Sequence, residues 1–192
     1  MKKKIYFILS FLLILMIGGC SKYEELNNLS IISNITITYK DGLYIVSMQE
    51  IIPQKGENKI NYDYKYRTGS GKNLAKAFSN IIDHSPKIYL RRVQNVIIDY
   101  KNRKKIMKAF LEYDRKYKNI SREASIVLTK NDLGKVLKIN SDYKYIDSVL
   151  KENKRTLYKA SGIYKKKKRL RIPLIKINDK ELIFSKFIYL QV

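Results

Sequence analysis

The sequence contains one cysteine, one histidine, three prolines and no tryptophan among its 192 residues. A single cysteine cannot form an internal disulfide, so the stability of the fold must come from core packing. Metal sites usually need several His or Cys ligands at defined spacing, and the sequence has no such set. We therefore predict no metal site and no cofactor.

Acidic residues are also scarce, with 17 Asp+Glu against 40 Lys+Arg and a net charge of +23. Without the segment up to Gly19 the net charge is +20. Such a charge suggests an anionic partner, such as lipid headgroups or a wall polyanion. Alternatively it reflects an AT-rich genome, because Ile, Asn and Tyr are abundant as well. Nucleic acid is not expected, since no zinc-finger spacing or RNA-binding signature is present.

The amino terminus has the features of an export signal. Three lysines, at positions 2–4, precede an apolar run at residues 5–17 that is too short to span a hydrocarbon core of about 30 Å. The run ends in Ile17-Gly18-Gly19-Cys20, which matches a lipobox, where small residues precede a cysteine that receives diacylglycerol. We therefore predict a signal peptide at residues 1–19 and lipid attachment at Cys20. Acyl chains on this residue would hold the protein at the outer face of the cytoplasmic membrane.

The mature chain mixes strand and helix patterns, which predicts an α+β fold with helices packed on a mixed, largely antiparallel sheet. Residues 31–38 and 43–52 flank an Asp41-Gly42 turn signal and form a predicted β-hairpin. Further strands are predicted at 62–68, 87–99 and 124–129, with Tyr62, Tyr64 and Tyr66 on one strand face. Helices are predicted at 24–29, 72–83, 102–115, 131–139 and 142–151.

The charge pattern changes after residue 152, where residues 165–169 read KKKKR. Because like charges repel one another, we interpret residues 156–171 as a basic linker between a first domain at 20–155 and a β-hairpin at 172–192. A lone two-stranded hairpin is marginal in water. It either adds to the first sheet or begins a second domain that is truncated here.

Candidate catalytic motifs are weak. The run at 66–73, YRTGSGKN, departs from a phosphate-binding loop at its first and last required positions, so we interpret it as a strand-to-helix turn. His84 falls at a predicted helix end, where it favours the helix dipole. The nearest paired carboxylates, Glu24-Glu25 and Glu112-Asp114, have no recognisable catalytic context. The sequence therefore indicates that the protein is not an enzyme.

Four segments in order resemble the Ger(x)C lipoproteins, the C subunits of spore germinant receptors. These segments are ELNNLSI at 25–31, TGSGK at 68–72, SPKIYLRRVQNVII at 85–98 and EASIVLT at 123–129. They resemble the family's N-terminal domain over residues 20 to 155. Ser21 and Arg91-Arg92 depart from the family's usual residues.

The resemblance implies a role in spore germination beside a polytopic A subunit and a permease-like B subunit. It also implies a location on the spore inner membrane and a non-catalytic role in receptor assembly or signalling. The alternative is a membrane-tethered binding module for a wall polyanion or a small solute. Possible structural or interface residues in the matching motifs are Glu25, Leu26, Asn27, Gly71, Ser85, Pro86, Tyr89 and Gln94.

Overall fold

The computed structural model describes residues 29–54, 61–85, 87–143 and 145–191. The strands are β1 (Ser30–Lys40), β2 (Leu43–Gln54), β3 (Asn61–Gly71), β4 (Ile88–Tyr89), β5 (Asn95–Asp99), β6 (Ser125–Thr129), β7 (Leu170–Asn178) and β8 (Glu181–Leu190). The helices are α1 (Leu74–Ile82), α2 (Arg103–Tyr117), α3 (Leu133–Tyr143), α4 (Tyr145–Leu150) and α5 (Leu157–Lys165), with a 3₁₀ turn at Lys151–Asn153.

The strands form one sheet in the order β3-β2-β1-β5-β6-β7-β8, and the short β4 pairs with the start of β1. The pairs β3-β2, β2-β1 and β7-β8 are antiparallel, whereas β1, β5, β6 and β7 run parallel to one another. The antiparallel pairs extend over more residues than the parallel pairs, so most of the strand pairing in the sheet is antiparallel. The predicted α+β class with a mixed, largely antiparallel sheet is confirmed.

The first hairpin turns where the sequence predicts it. Asp41 and Gly42 both have positive φ, 51° and 80°, which is the geometry of the two-residue turns that match the twist of a hairpin. The register then pairs Lys40 with Leu43 and continues to Ile32 opposite Glu50, with a bulge between Ile32 and Asn34. The bulge lets Ile32 and Ile35 face one side of the sheet while Asn34 faces the other.

Helices cover both faces of the sheet, and each face has its own core. One core lies under α1, α2 and α5 and includes Phe78, Ile106 and Phe110 with strand residues such as Ile35 and Val46. The other lies under α3 and α4 and covers only the β5–β8 half, through residues such as Val127. The β1–β3 half of that second face therefore has no apolar core among the described residues, and α3 contacts it at its border, where Asn140 donates to Asn34 of β1.

Two glycines allow α1 to approach β3 closely. A Cβ on Gly69 would lie 2.5 Å from the Ala77 carbonyl oxygen, and one on Gly71 would lie 2.7 Å from the Ala77 nitrogen. Neither position has room for a side chain unless α1 moves away from the sheet. The TGSGK run is thus a strand end and a tight entry to a helix, which confirms the predicted strand-to-helix turn. The Asn73 side chain caps the first turn of this helix.

Two predicted segments differ from the structure. Residues 156–171 were expected to be a linker, but they contain α5, which buries Leu157, Ala160 and Ser161 and begins at a Thr156 cap. The run of basic residues begins only at the end of this helix, so like-charge repulsion does not prevent it from folding. The single strand predicted at 87–99 is two strands, β4 and β5, separated by a turn at Arg91-Arg92 in which the Val93 nitrogen donates to the Leu90 carbonyl oxygen.

The final hairpin extends the first sheet. β7 pairs in parallel with β6 through Leu128–Leu174 and Thr129–Ile175. Its apolar side chains enter both cores, with Leu170 and Ile172 in the first and Ile175 in the second. Of the two arrangements that the sequence left open, the structure therefore has the hairpin added to the first sheet. The division of the chain into domains stays a prediction.

Candidate functional site

The uncovered half-face of the sheet carries the polar side chains of three strands. In β3, Tyr62, Tyr64 and Tyr66 pair across to Pro53, Ile51 and Gln49 of β2, so all three tyrosines share one face, as predicted from their alternation. The same face of β1 carries three polar residues, at positions 34, 36 and 38. These polar side chains form the floor of a groove beside α3.

The widest part of this groove is a cleft of about 740 Å³ at the carboxyl ends of β1, β5 and β6. In open sheets with parallel strands, this is the edge at which ligand sites usually form. The side chains of Thr36, Thr38, Ser47 and Tyr66 line its floor, and Asp99 lies at the end of β5. The loop after β6 and the start of α3 form its wall, through residues 130–134, Leu137 and Lys138.

A smaller cleft of about 210 Å³ follows the same face toward the other edge of the sheet. Tyr62 and Tyr64 line it together with Ile51, Asn34 and Gln94. Tyr62 and Tyr66 are each 49% exposed, so their rings are open to a ligand or partner instead of being packed in the core. The groove thus combines aromatic faces with hydroxyl and amide groups.

A buried network of amides supports the floor of the groove. The Asn34 amide nitrogen donates to Gln49 Oε1 at 2.6 Å, and Asn34 Oδ1 accepts from Asn95 at 2.9 Å and from Asn140 at 3.4 Å. Asn140 lies on α3, so these contacts join the helical wall to the sheet. The Gln49 amide nitrogen also donates to the Tyr66 hydroxyl at 3.1 Å. This bond connects the exposed Tyr66 ring to the buried amide network.

The charged groups of the large cleft balance one another. Asp99 accepts from the Thr38 hydroxyl and the Lys101 nitrogen, both at 3.0 Å, and Asp132 caps α3 by accepting from the Lys135 nitrogen at 2.9 Å. Lys130 and Lys138 lie on the same lining. With two carboxylates and two ammonium groups, the charges that line the cleft sum to zero.

The residues predicted from motifs do not converge on this groove. Cys20, Glu25, Leu26, Asn27 and Pro86 lie outside the described residues. Gly71 packs against α1, and Ser85 accepts a hydrogen bond from Arg67 at 3.2 Å. Tyr89 is partly exposed in β4, at the opposite edge of the sheet from the large cleft.

Gln94 has a structural role in the backbone. Its nitrogen donates to the Ser33 carbonyl oxygen and its carbonyl oxygen accepts from the Ser125 nitrogen, both at 2.7 Å. These bonds tie β5 to β1 on one side and to β6 on the other. Only its exposed side chain borders the smaller cleft.

The remaining candidate catalytic groups have structural contacts. His84 is exposed and its Nδ1 lies 3.1 Å from the Asn80 carbonyl oxygen at the end of α1, as its predicted position at a helix end requires. Asp114 is buried and bound by Arg122 and Ser161, whereas Glu112 is exposed and accepts from the Tyr164 hydroxyl. Burial and the nearby Glu112 raise the pKa of Tyr164. Among the described residues, no group of three or more His, Cys, Asp or Glu side chains could hold a metal ion.

A comparison with protein-family models identifies the relationship. The model described as the spore germination protein N-terminal domain matches residues 22–168, which is more than three quarters of the chain. The chain belongs to this family. The match confirms the resemblance to the N-terminal domain of germinant-receptor C subunits, and it supports a role of this germination-protein domain in spore germination. No curated protein and no solved structure matches the chain.

The sequence motifs that led to the family and the groove found in the structure involve different residues. The family motifs mark the entry to α1 and the edge around β4, whereas the groove of the germination-protein domain uses Thr36, Thr38, Asp99 and Asp132. One available signal was a pair of acidic residues near the ends of parallel strands, Asp99 at the end of β5 and Asp132 three positions after β6. In the part of the chain that the structure describes, no helix is long and apolar enough to cross a membrane.

Proposed function

We propose that this protein is a lipid-anchored C-type subunit of a nutrient germinant receptor, with a role in receptor assembly or signal coupling and without catalytic activity. The observation that carries the proposal is the family match at residues 22–168, which begins two residues after the lipobox cysteine. Its partners would be a polytopic A subunit and a permease-like B subunit. Lipid on Cys20 would keep the folded domain beside them at the outer face of the spore inner membrane.

The proposal predicts that Cys20→Ala abolishes incorporation of labelled palmitate and slows germination of the spores that carry it. The thioether at this cysteine is the only attachment that the chain offers for diacylglycerol, because no second cysteine is present. The measurements are metabolic labelling of the protein and the rate of optical-density loss after nutrient addition. Ser21→Ala is the matched control, since it changes the adjacent residue and leaves the acceptor intact.

Unchanged labelling of Cys20→Ala would contradict the lipid anchor. Normal germination of a spore-former that lacks the gene would contradict the receptor role itself, whatever the state of the anchor. The two readouts therefore separate the attachment from the function.

A second candidate function is supported by the large cleft at the carboxyl ends of β1, β5 and β6. Its volume of about 740 Å³ lies within the usual range for small-molecule sites. Hydroxyls from Thr36, Thr38 and Ser47 provide hydrogen-bond partners, and the exposed Tyr66 ring provides a stacking surface. In this alternative, the tethered domain binds a small hydroxylated solute, for which glucose is a suitable probe.

Isothermal titration with glucose tests this second function. We expect saturable heat with the unaltered chain and roughly tenfold weaker binding for Thr36→Val, because the substitution removes a hydroxyl from the buried floor and keeps its shape. Ser70→Ala is the control, since it also removes a hydroxyl and Ser70 lies on the same sheet face but outside the lining of the cleft. Absence of saturable heat, or equal binding by the Thr36 and Ser70 variants, would argue against a solute site here.

A further inference from the structure

The direction of the strands places most of the loop charge at one edge of the sheet. β1, β5, β6 and β7 are parallel, so the loops that lead into them meet at their amino ends, which we call the amino edge. The loops at the opposite, carboxyl edge lead out of the same strands. The two edges are therefore opposite sides of the domain, separated along β1 by about 33 Å.

The described loops of the amino edge are residues 83–85, 87, 90–94, 118–124, 151–156 and 166–169. Together they carry 12 basic and 3 acidic residues, a net charge of +9. The loops of the carboxyl edge, at 41–42, 72–73, 100–102, 130–132 and 179–180, carry 4 basic and 3 acidic residues, a net charge of +1. The loops of the amino edge thus carry more net positive charge than the loops of the carboxyl edge.

Most of these basic residues lie at the surface, since nine of the twelve are exposed, among them the run at 166–169 with Arg91 and Arg92. Two of the other three are bound to carboxylates, Arg122 to Asp114 at 2.6 Å and Lys154 to Asp147 at 3.2 Å. The exposed basic residues form a broad cationic surface with no carboxylate cluster beside it among the loops described.

The same edge receives the chain from the predicted lipid anchor. β1 starts at Ser30, where it pairs with β4, and its first residue donates to the Lys87 carbonyl oxygen at 3.0 Å. Ten residues separate Ser30 from Cys20, a distance of at most about 36 Å even when fully extended. The chain from the predicted anchor therefore enters the described domain at the amino edge.

We propose that the amino edge of this domain binds anionic lipid headgroups and orients the domain with the large cleft facing away from the membrane. This inference deepens the proposed function and rests on its lipid anchor for the orientation, whereas the binding itself depends only on charge. Each lysine or arginine near an anionic surface adds to the attraction, and its contribution disappears beyond a Debye length of about 10 Å. Charges at the carboxyl edge are too far away to take part.

Vesicle binding by the chain that starts at residue 21 tests this proposal without the anchor. All described elements and both cores lie within residues 29–191, so this chain keeps the whole described fold. The probes are vesicles of neutral phosphatidylcholine and vesicles that also contain about one third phosphatidylglycerol, in 0.1 M salt. We expect at least about tenfold tighter binding to the anionic vesicles.

Two charge-matched variants then locate the contact. Replacing Lys166, Lys167, Lys168 and Arg169 by Gln should weaken binding to anionic vesicles at least about tenfold. Replacing Lys40, Lys72, Lys101 and Lys180 by Gln removes the same charge from the carboxyl edge and should change binding by no more than about threefold.

Equal loss in the two variants would overturn the proposal, because it would show that net charge acts without a preferred edge. Binding to teichoic acid with no preference for anionic vesicles would overturn it as well and identify a wall polymer as the partner. Neither result depends on lipidation, so failure of the anchor at Cys20 is a separate outcome that the palmitate labelling reports.

Discussion

A chain that ends after Lys168 is expected to lose its cooperative thermal unfolding transition. The truncation removes β7 and β8, and with them six buried apolar side chains from both cores: Leu170, Ile172, Leu174, Ile175, Leu182 and Leu190. Burial of one such side chain is worth about 1.5–3 kcal/mol, so the loss is comparable to the whole stability of an ordinary domain, about 5–15 kcal/mol. Truncation would also expose the free edge of β6.

Calorimetry or circular dichroism on heating measures this effect, and point variants in β7 provide the control. Ile172→Ala should lower the free energy of unfolding by about 2–5 kcal/mol, because Ile172 is fully buried. Lys176→Ala, at an exposed position of the same strand, should change it by no more than about 0.5 kcal/mol. If the truncated chain unfolds cooperatively at the original midpoint, the predicted boundary before residue 172 is correct and the hairpin is an addition to an independent domain.

Local patterns were sufficient to predict the first hairpin and α1. The Asp41-Gly42 pair predicts the first hairpin because few other residues adopt positive φ at both turn positions. The spacing of Leu74, Phe78 and Ile81 predicts α1 and its buried side, which the structure confirms. In each case the residues of one short segment are enough to predict its conformation.

The basic composition of residues 165–169 led to a wrong prediction for the longer segment at 156–171. The basic run at 165–169 suggested a linker, although Leu157 and Ala160 sit at helical spacing behind the Thr156 cap. The helix is nine residues long and has only one small buried face, so its stability comes from packing on the sheet and not from its own propensity.

The groove depends on contacts between elements that are distant in the sequence. Strands β1 to β3 form its floor, Asp99 lies at one end and α3 forms its wall. These elements are adjacent because of the order of the strands in the sheet. The amide network joins Asn34 to Asn140 across 106 positions in the chain. No local pattern specifies that pairing, whereas the polar residues at the strand ends become informative once the strands are known to be parallel.

The buried carboxylate of Asp114 leads to a second large effect on stability. Its side chain is 1% exposed and is held by Arg122 at 2.6 Å and by the Ser161 hydroxyl at 3.0 Å, which joins the end of α2 to the loop before β6 and to α5. Arg122→Met should lower the free energy of unfolding by about 3 kcal/mol, because it leaves a buried negative charge without its cation. For a chain of this size, the midpoint of thermal unfolding should fall by roughly 10 °C.

A double-mutant cycle separates the lost ion pair from lost packing. Asp114→Asn added to Arg122→Met removes the stranded charge and keeps the size of the side chain, so the double variant should be more stable than Arg122→Met alone by at least about 1 kcal/mol. Arg92→Met is the matched control, since Arg92 is exposed at the same edge of the sheet, and it should change stability by no more than about 0.5 kcal/mol. Equal stability of Arg122→Met and Arg92→Met would mean that water or another group solvates Asp114 and that the ion pair with Arg122 contributes little to stability.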